Sequence, residues 1–391
     1  MCSRSYNARM AKTYDVCIRG AGIVGRTLAL QLAGLRLKVA LVDAQDAYPT
    51  APAHSDVRAY ALSPASRALL EGVRCWPDEN HATPVLGMHV RGDAEGAVHF
   101  DAAGQGVPAL NWIVDVPALE TRLADAVRFQ PLIDVVGSPQ TAALTVVCEG
   151  RASSTRAEFG VDFDATPYAQ SALATRVQCT MPHGQIARQW FIGGEIVALL
   201  PLDGPAGRAC AVVWSASPER VQVLQAMQSA PFCEALLSAT QGCLGVFERI
   251  TDSKSWPLQA AQARNWSGVL RCADGTECSW LLAGDAAHNV HPLAGQGLNL
   301  GLGDVAELVR ILAQRPYWRS VGDRRLLRAY ERARKADYAV VGGSGNALHA
   351  IFQPVHPIWQ TMRNMGMRGF DKSPRLKQWV AGRAMGTQIN Q

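Results

Sequence analysis

The chain has 391 residues, 48% hydrophobic and 18% charged, a composition that lets one large or two interleaved domains bury a core and excludes a peptide-like scaffold or a disordered chain. Its formal charge of +5 is spread without a run of Lys and Arg, which excludes a nucleic-acid arm and suits anionic cofactors or a lipid surface better. Ten cysteines stand singly with no CxxC pair and read as free thiols of a cytoplasmic protein. The N-terminal stretch has no apolar signal core, and no uncharged apolar run reaches the roughly 18 residues a bilayer span needs, so a secreted or integral protein is not expected.

Residues 15–19 (DVCIR) read as a short buried strand running straight into Gly20-Ala21-Gly22-Ile23-Val24-Gly25, the GxGxxG pattern. Helical spacing follows over 23–33, and 38–42 (KVALV) gives a second strand ending at Asp43. Gly20 and Gly22 permit the tight turn and the approach of a pyrophosphate, while Gly25 lets the helix pack close to the strand. The helix start then faces the phosphate, and Asp43 is placed to accept hydrogen bonds from the adenosine ribose. Taken alone, a glycine-rich turn of this kind fits any α/β protein, and this half leaves FAD and NAD both open.

A second strand-like run, 280–283 (WLLA), ends in Gly284-Asp285-Ala286-Ala287-His288, followed by Pro292 and Gly295-Gln296-Gly297-Leu298-Asn299. A long helix opens there, with Leu298, Leu302, Val305 and Leu308 or Val309 on one face. Its start presents backbone N–H groups to a negative charge, such as the N1 and O2 edge of a reduced flavin. Asp285 suits a ribityl hydroxyl or, more plainly, a helix cap. His288 and His291 stay open between site residues and ordinary turn residues.

The segment GDAAHNVHPLAGQGLNLGLGDVAEL resembles the signature of the class A flavoprotein monooxygenases, in particular the ubiquinone-biosynthesis hydroxylases of the UbiH, UbiF and VisC group. The resemblance extends to DVRAYALSPASRALLEGVRCW at 56–76, ALLPLDG at 198–204, VVWSASPE at 212–219 and SWPLQAAQA at 255–263. A third motif of that family, DG followed by SxxR, stands here as Glu149-Gly150-Arg151-Ala152-Ser153-Ser154-Thr155-Arg156 and would hold the pyrophosphate.

The resemblance implies an α/β fold with a Rossmann-type FAD-binding domain (12–75, 112–156 and 268–345) interleaved with a smaller β-sheet substrate domain (76–111 and 157–267) and a helical C-terminal tail (346–391). It implies FAD as cofactor, NAD(P)H as reductant, and hydroxylation of a prenylated phenol through a C4a-hydroperoxyflavin. The implied cofactor set is Gly20, Gly22, Gly25, Asp43, Arg58, Glu149, Gly150, Asp285, Gly295, Gln296, Gly297, Leu298 and Asn299. Arg58 also enters the catalytic set with His291 and Pro292, a surface arginine being its plainer reading. The alternatives are a flavin-binding, non-catalytic subunit of a quinone-biosynthesis complex and a flavin oxidoreductase of other chemistry. The tail mixes Phe352, Trp359 and four methionines or aromatics more with Arg and Lys, which suits either a capping helical pair or docking on the inner membrane or a biosynthetic complex.

Four features depart from the family pattern. Arg19 replaces an apolar strand end, where it either helps bind phosphate or costs burial energy. Glu149 replaces Asp, and Val116 stands where a polar Asn or Gln commonly grips the cofactor. Only 128–141 separates the helix expected over 117–127 from the strand at 142–148, where the family inserts a small antiparallel sheet.

Overall fold

The computed structural model describes residues 14–43, 57–92, 96–271, 277–290 and 296–352, with side chains to 343. The chain opens with β1 (Tyr14–Arg19), α1 (Ile23–Gly34) and β2 (Val39–Val42), the βαβ unit read from the glycine pattern. Then come β3 (Ala59–Leu62), α2 (Pro64–Gly72), β4 (Ala82–Val85), β5 (Gly87–Arg91), β6 (Ala97–Asp101) and β7 (Asn111–Asp115). Helix α3 (Val116–Arg128) leads into β8 (Ile133–Val136), β9 (Ala142–Val147) and the short α4 (Thr155–Glu158). A meander of β10 (Phe163–Cys179), β11 (Ile186–Ile192), β12 (Glu195–Pro201) and β13 (Ala209–Ala216) is followed by α5 (Pro218–Ala226), α6 (Ser229–Ala239) and β14 (Phe247–Arg249). The chain continues through β15 (Lys254–Ala263), β16 (Ser267–Arg271), β17 (Glu277–Leu282) and β18 (His288–Asn289) to α7 (Gln296–Ala313) and α8 (Arg324–Phe352).

Two main sheets result. The first has six strands in the order β16-β17-β9-β1-β2-β8, and its inner strands run parallel. Val16 and Ile18 are buried against the helices of the main core, and Cys17 is buried on the other face in a small cluster with Tyr14, Ala40, Val42, Val136 and Ala142, which is why these strands read as continuous apolar runs. The second sheet, of nine strands, is antiparallel except where β11 pairs with β5. One of its faces packs on α5 and α6 through Leu173, Val212, Trp214, Leu224 and Phe232. Its other face meets β3 and β7 through Ala187, Leu200, Ala211, Ala61 and Ile113.

Three expectations change on inspection. The strand expected over 171–179 begins at Phe163, because Pro167 and a register shift before Ser171 interrupt the alternation without ending the strand. The short 128–141 connection carries β8, which pairs in parallel with β2 and extends the sheet. Seven cysteines are free thiols among the described residues, but Cys278 is disulfide-bonded, so the all-thiol reading fails at that position. No described helix is long and apolar enough to cross a membrane. The expected tail, 346–391, falls outside the described side chains.

Candidate cofactor and active site

The candidate residues are brought together by strand register. Arg19 pairs with Val42 on one side and Val147 on the other, and Val147 pairs with Leu282. Because these strands run parallel, the residues that follow the row (Gly20, Asp43, Cys148 and Ala283) leave the sheet at one edge, the carboxyl edge where ligands of open α/β sheets sit. Backbone bonds continue the row: Gly20 N–H donates to Val42 O at 3.1 Å, Cys148 N–H to Arg19 O at 2.7 Å and Ala283 N–H to Val147 O at 3.0 Å.

Gly20 has φ +109°, and a β-carbon there would lie 2.5 Å from Cys148 O, so only glycine fits between the strands. A β-carbon on Gly25 would overlap the Gly20 carbonyl. Gly22, the N-cap of α1, differs, for a β-carbon there would meet nothing within 4 Å and no side chain caps the helix. An uncapped helix start beside open space fits a pyrophosphate. The Asp43 carboxylate lies 3.4 Å from Arg26 Nη2, each side chain being 20% exposed.

Glu149 is held by protein donors. Its carboxylate accepts from Thr155 Oγ1 (2.6 Å), Ser153 Oγ (2.7 Å), Arg19 Nε (3.2 Å) and Thr155 N (3.3 Å). Burial pushes its pKa up, but hydrogen bonds from Thr155 and Ser153 and the charge of Arg19 outweigh that and hold it below the ordinary value. Gly150 follows with φ +78° and open space at its Cα. The buried Arg156 ties this loop to the next motif: its Nη1 donates to Asp285 O (3.3 Å) and Ala286 O (3.1 Å), and its guanidinium lies over the Phe163 ring.

Asp285 is the exposed member of an otherwise buried turn. Below it, the fully buried Asp304 accepts from Gly284 N (2.7 Å), His288 Nε2 (2.8 Å) and Arg334 Nε (2.7 Å). Burial would raise the Asp304 pKa, yet His288 and Arg334 hold it below the ordinary value. His288 is 1% exposed and lies between the Trp266 and Tyr338 rings, which makes it a packing and hydrogen-bonding residue of the turn. A β-carbon on Gly301 would come 3.2 Å from Gly284 Cα, so α7 and the turn pack backbone to backbone.

Gln296, Gly297 and Leu298 form the partly exposed first turn of α7, and a β-carbon on Gly297 would meet no protein atom within 4 Å. Asn299 uses its side chain to bind the β3–α2 turn: it donates to Ala61 O (2.7 Å) and accepts from Ser63 N (2.9 Å) and Ser66 Oγ (2.7 Å). Exposed Arg58 lies just before β3, and its carbonyl accepts from Arg176 Nη2 at 3.3 Å. Arg176 also donates to Asp115 Oδ2 at 2.6 Å, pinning the nine-stranded sheet to the start of α3. Val116 is buried in the main core with Val114 and Leu119, so this departure is absorbed by packing. His291, Pro292 and Gly295 lie outside the described residues.

Sequence reasoning missed Asp304, Arg334 and Arg176. A signal existed for Asp304, a lone charge in register with Leu300 and Leu308 on an apolar stripe. Arg334 sits in a helix so rich in Arg and Lys that nothing singles it out.

A parallel sheet with a GxGxxG turn, joined at one edge by a second loop and by a GDAAH turn under a broad antiparallel sheet, defines a Rossmann-type flavoprotein. The chain belongs to the FAD-binding domain family, whose sequence model matches residues 136–341, and its cofactor is FAD. It is 28% identical to the 3-demethoxyubiquinol 3-hydroxylase of Escherichia coli K12 over 95% of this chain and 98% of that protein. It is also 28% identical to the ubiquinone hydroxylase UbiL of Rhodospirillum rubrum, over 96% and 90% of the two chains. Its fold is similar to the crystal structure of p-nitrophenol 4-monooxygenase PnpA of Pseudomonas putida DLL-E4, with TM-score 0.72 and 16% identity over 97% of this chain and 100% of that one.

Proposed function

We propose that the chain is an FAD-dependent monooxygenase that uses NAD(P)H and dioxygen to hydroxylate the ring of a prenylated or otherwise apolar phenol in ubiquinone biosynthesis. The observation that carries this reading is the convergence of Gly20, Asp43, Glu149-Gly150 and Gly284-Asp285 at one strand edge. The names of the full-length relatives support the reaction and the substrate class.

In this reading the FAD-binding part comprises 12–75, 112–156 and 268–345 and the substrate part 76–111 and 157–267. The start of α1, with Gly20, Gly22 and Gly25, takes the pyrophosphate on backbone N–H groups. Asp43 takes the adenosine ribose, and the Glu149-Gly150 loop lies along the phosphates. Asp285 meets the ribityl chain, and the turn from Gly295 through Gln296, Gly297, Leu298 and Asn299 lies at the pyrimidine edge. When bound, FAD supplies reduction by NAD(P)H and activation of dioxygen. Arg58 stands on the nicotinamide path, and His291 and Pro292 belong with it to the catalytic set. The face of the nine-stranded sheet that meets β3 and β7 excludes water from the reacting centre, since its residues there are mostly Ala, Val and Leu. An apolar phenol is met at a lipid surface, so we place the chain in the cytoplasm with peripheral contact to the inner membrane.

The test is to add FAD to purified protein and follow NAD(P)H oxidation with and without ortho-octylphenol. The expected result is a bound flavin spectrum and oxidation accelerated by the phenol. Protein that leaves FAD fluorescence and melting temperature unchanged contradicts the reading.

A further inference from the structure

Gln189 stands in the largely apolar face that roofs the strand edge, a face that also carries Arg176 and Ser215. Along β11, Trp190 belongs to the core under α5 and α6, so its neighbours Ala187, Gln189 and Phe191 face the other way. Ala187 fixes where that is, because it shares a core with Ile113 of β7 and Ala61 of β3. Ala61 in turn accepts from Asn299 in the first turn of α7, at 2.7 Å. Gln189 therefore faces the space between the sheet and the start of α7.

Across the sheet Gln189 shares its row with Val90, Ala198, Val213 and Ala174. These apolar side chains form a surface suited to a ring and an alkyl chain, and the row ends at Lys254 beyond Ala174. Gln189 is 7% exposed, and its amide has no hydrogen-bond partner among the described residues. Arg176 on the same sheet bonds Asp115, and Gln170 bonds Gly194 O through its Nε2 at 2.9 Å, although its Oε1 has no partner. A ligand that bonds this amide gains a hydrogen bond that no described side chain supplies.

We propose that Gln189 is the positioning residue for the substrate's ring oxygen, its Oε1 accepting from a phenolic O–H or its Nε2 donating to the phenolate. The identity of the substrate as a phenol rests on the hydroxylase reading. The polar anchor selects a free hydroxyl, and the row around it selects an apolar ring.

The test is equilibrium binding to the FAD-loaded protein, read from the shift in the flavin absorption spectrum, with ortho-octylphenol and its methyl ether as probes. Wild type should bind the phenol about tenfold more tightly than the ether. Gln189→Leu should erase that preference by loosening the phenol alone, and Gln189→Met, of similar volume, should do the same if the leucine variant folds poorly. A preference that persists in both variants overturns the proposal, as does equal loosening of both probes, which a packing role would give. Wild type that binds neither probe also overturns it. A preference that Gln189→Leu erases, in a wild type that binds the phenol but forms no hydroxylated product, upholds Gln189 and sinks the hydroxylase reading instead.

Discussion

Arg19 Nε donates to Glu149 Oε1 at 3.2 Å, joining the last residue of β1 to the loop that follows β9. Both residues depart from the family pattern, and they meet each other, with Arg19 also pairing through Nη1 with Glu158 at 2.9 Å. A guanidinium at the strand end would be costly next to an apolar core, while the longer Glu side chain reaches back to meet it. The Arg19 side chain is 14% exposed and that of Glu149 22%, so the pair is screened only in part.

The first prediction is a coupling between these two side chains. Arg19→Ala and Glu149→Ala should each destabilise the protein, and the double variant should cost less than their sum by about 1 kcal/mol. Urea denaturation of the four proteins measures it. Strict additivity would mean that Glu149 acts only through Ser153 and Thr155.

The second concerns the buried Asp304. Removing its carboxylate leaves Arg334 Nε, His288 Nε2 and the Gly284 N–H without their acceptor, so Asp304→Ala should cost about 3–5 kcal/mol even though Arg334 keeps Asp337 and Leu300 O. Its folded pKa is lowered, because His288 and Arg334 outweigh the effect of burial. A lowered folded value means that the stabilisation is fully present above the ordinary carboxylate pKa and is lost as pH falls through the folded one. Wild type should therefore lose stability below about pH 4 more steeply than Asp304→Asn. Parallel pH profiles for the two proteins would contradict this assignment.

Two glycines separate folding from cofactor contact. A β-carbon on Gly25 overlaps the Gly20 carbonyl, whereas one on Gly297 meets no protein atom within 4 Å. Gly25→Ala should therefore lower both stability and FAD affinity. Gly297→Val should keep the stability of the cofactor-free protein within about 1 kcal/mol, since helix propensity alone is at issue. Its bound flavin should show a reduction potential lower by about 10 to 20 mV, because the helix end faces the charge of the reduced ring less closely. Dye-linked titration reads the shift. An unchanged potential in a variant that still binds FAD would remove α7 from the flavin edge.

The parts of this fold that were legible in the sequence are those whose physics is local. The GxGxxG turn shows itself because the positive φ of Gly20 and the crowding of Gly25 by the Gly20 carbonyl are local demands for glycine, although Gly20 is also crowded by Cys148 far along the chain. Val116 and Glu149 could be seen as departures, but their accommodation depends on partners far along the chain, the core around Leu119 and the side chain of Arg19. Asp304 and Arg334 are thirty positions apart, and His288 joins them only because β18 and α7 fold against α8. Gln189 was invisible for a similar reason: its lack of a partner is a property of the finished sheet, not of its neighbours in sequence.

The central claim is that this strand edge serves transfer of oxygen to an aromatic ring. The most direct measurement supplies the FAD-loaded protein with NAD(P)H, ortho-octylphenol and isotopically heavy dioxygen, and weighs the product by mass spectrometry. The account predicts a hydroxylated ring carrying one heavy oxygen atom drawn from the gas. Consumption of NAD(P)H with peroxide as the sole product, or a ring oxygen derived from water, would contradict it.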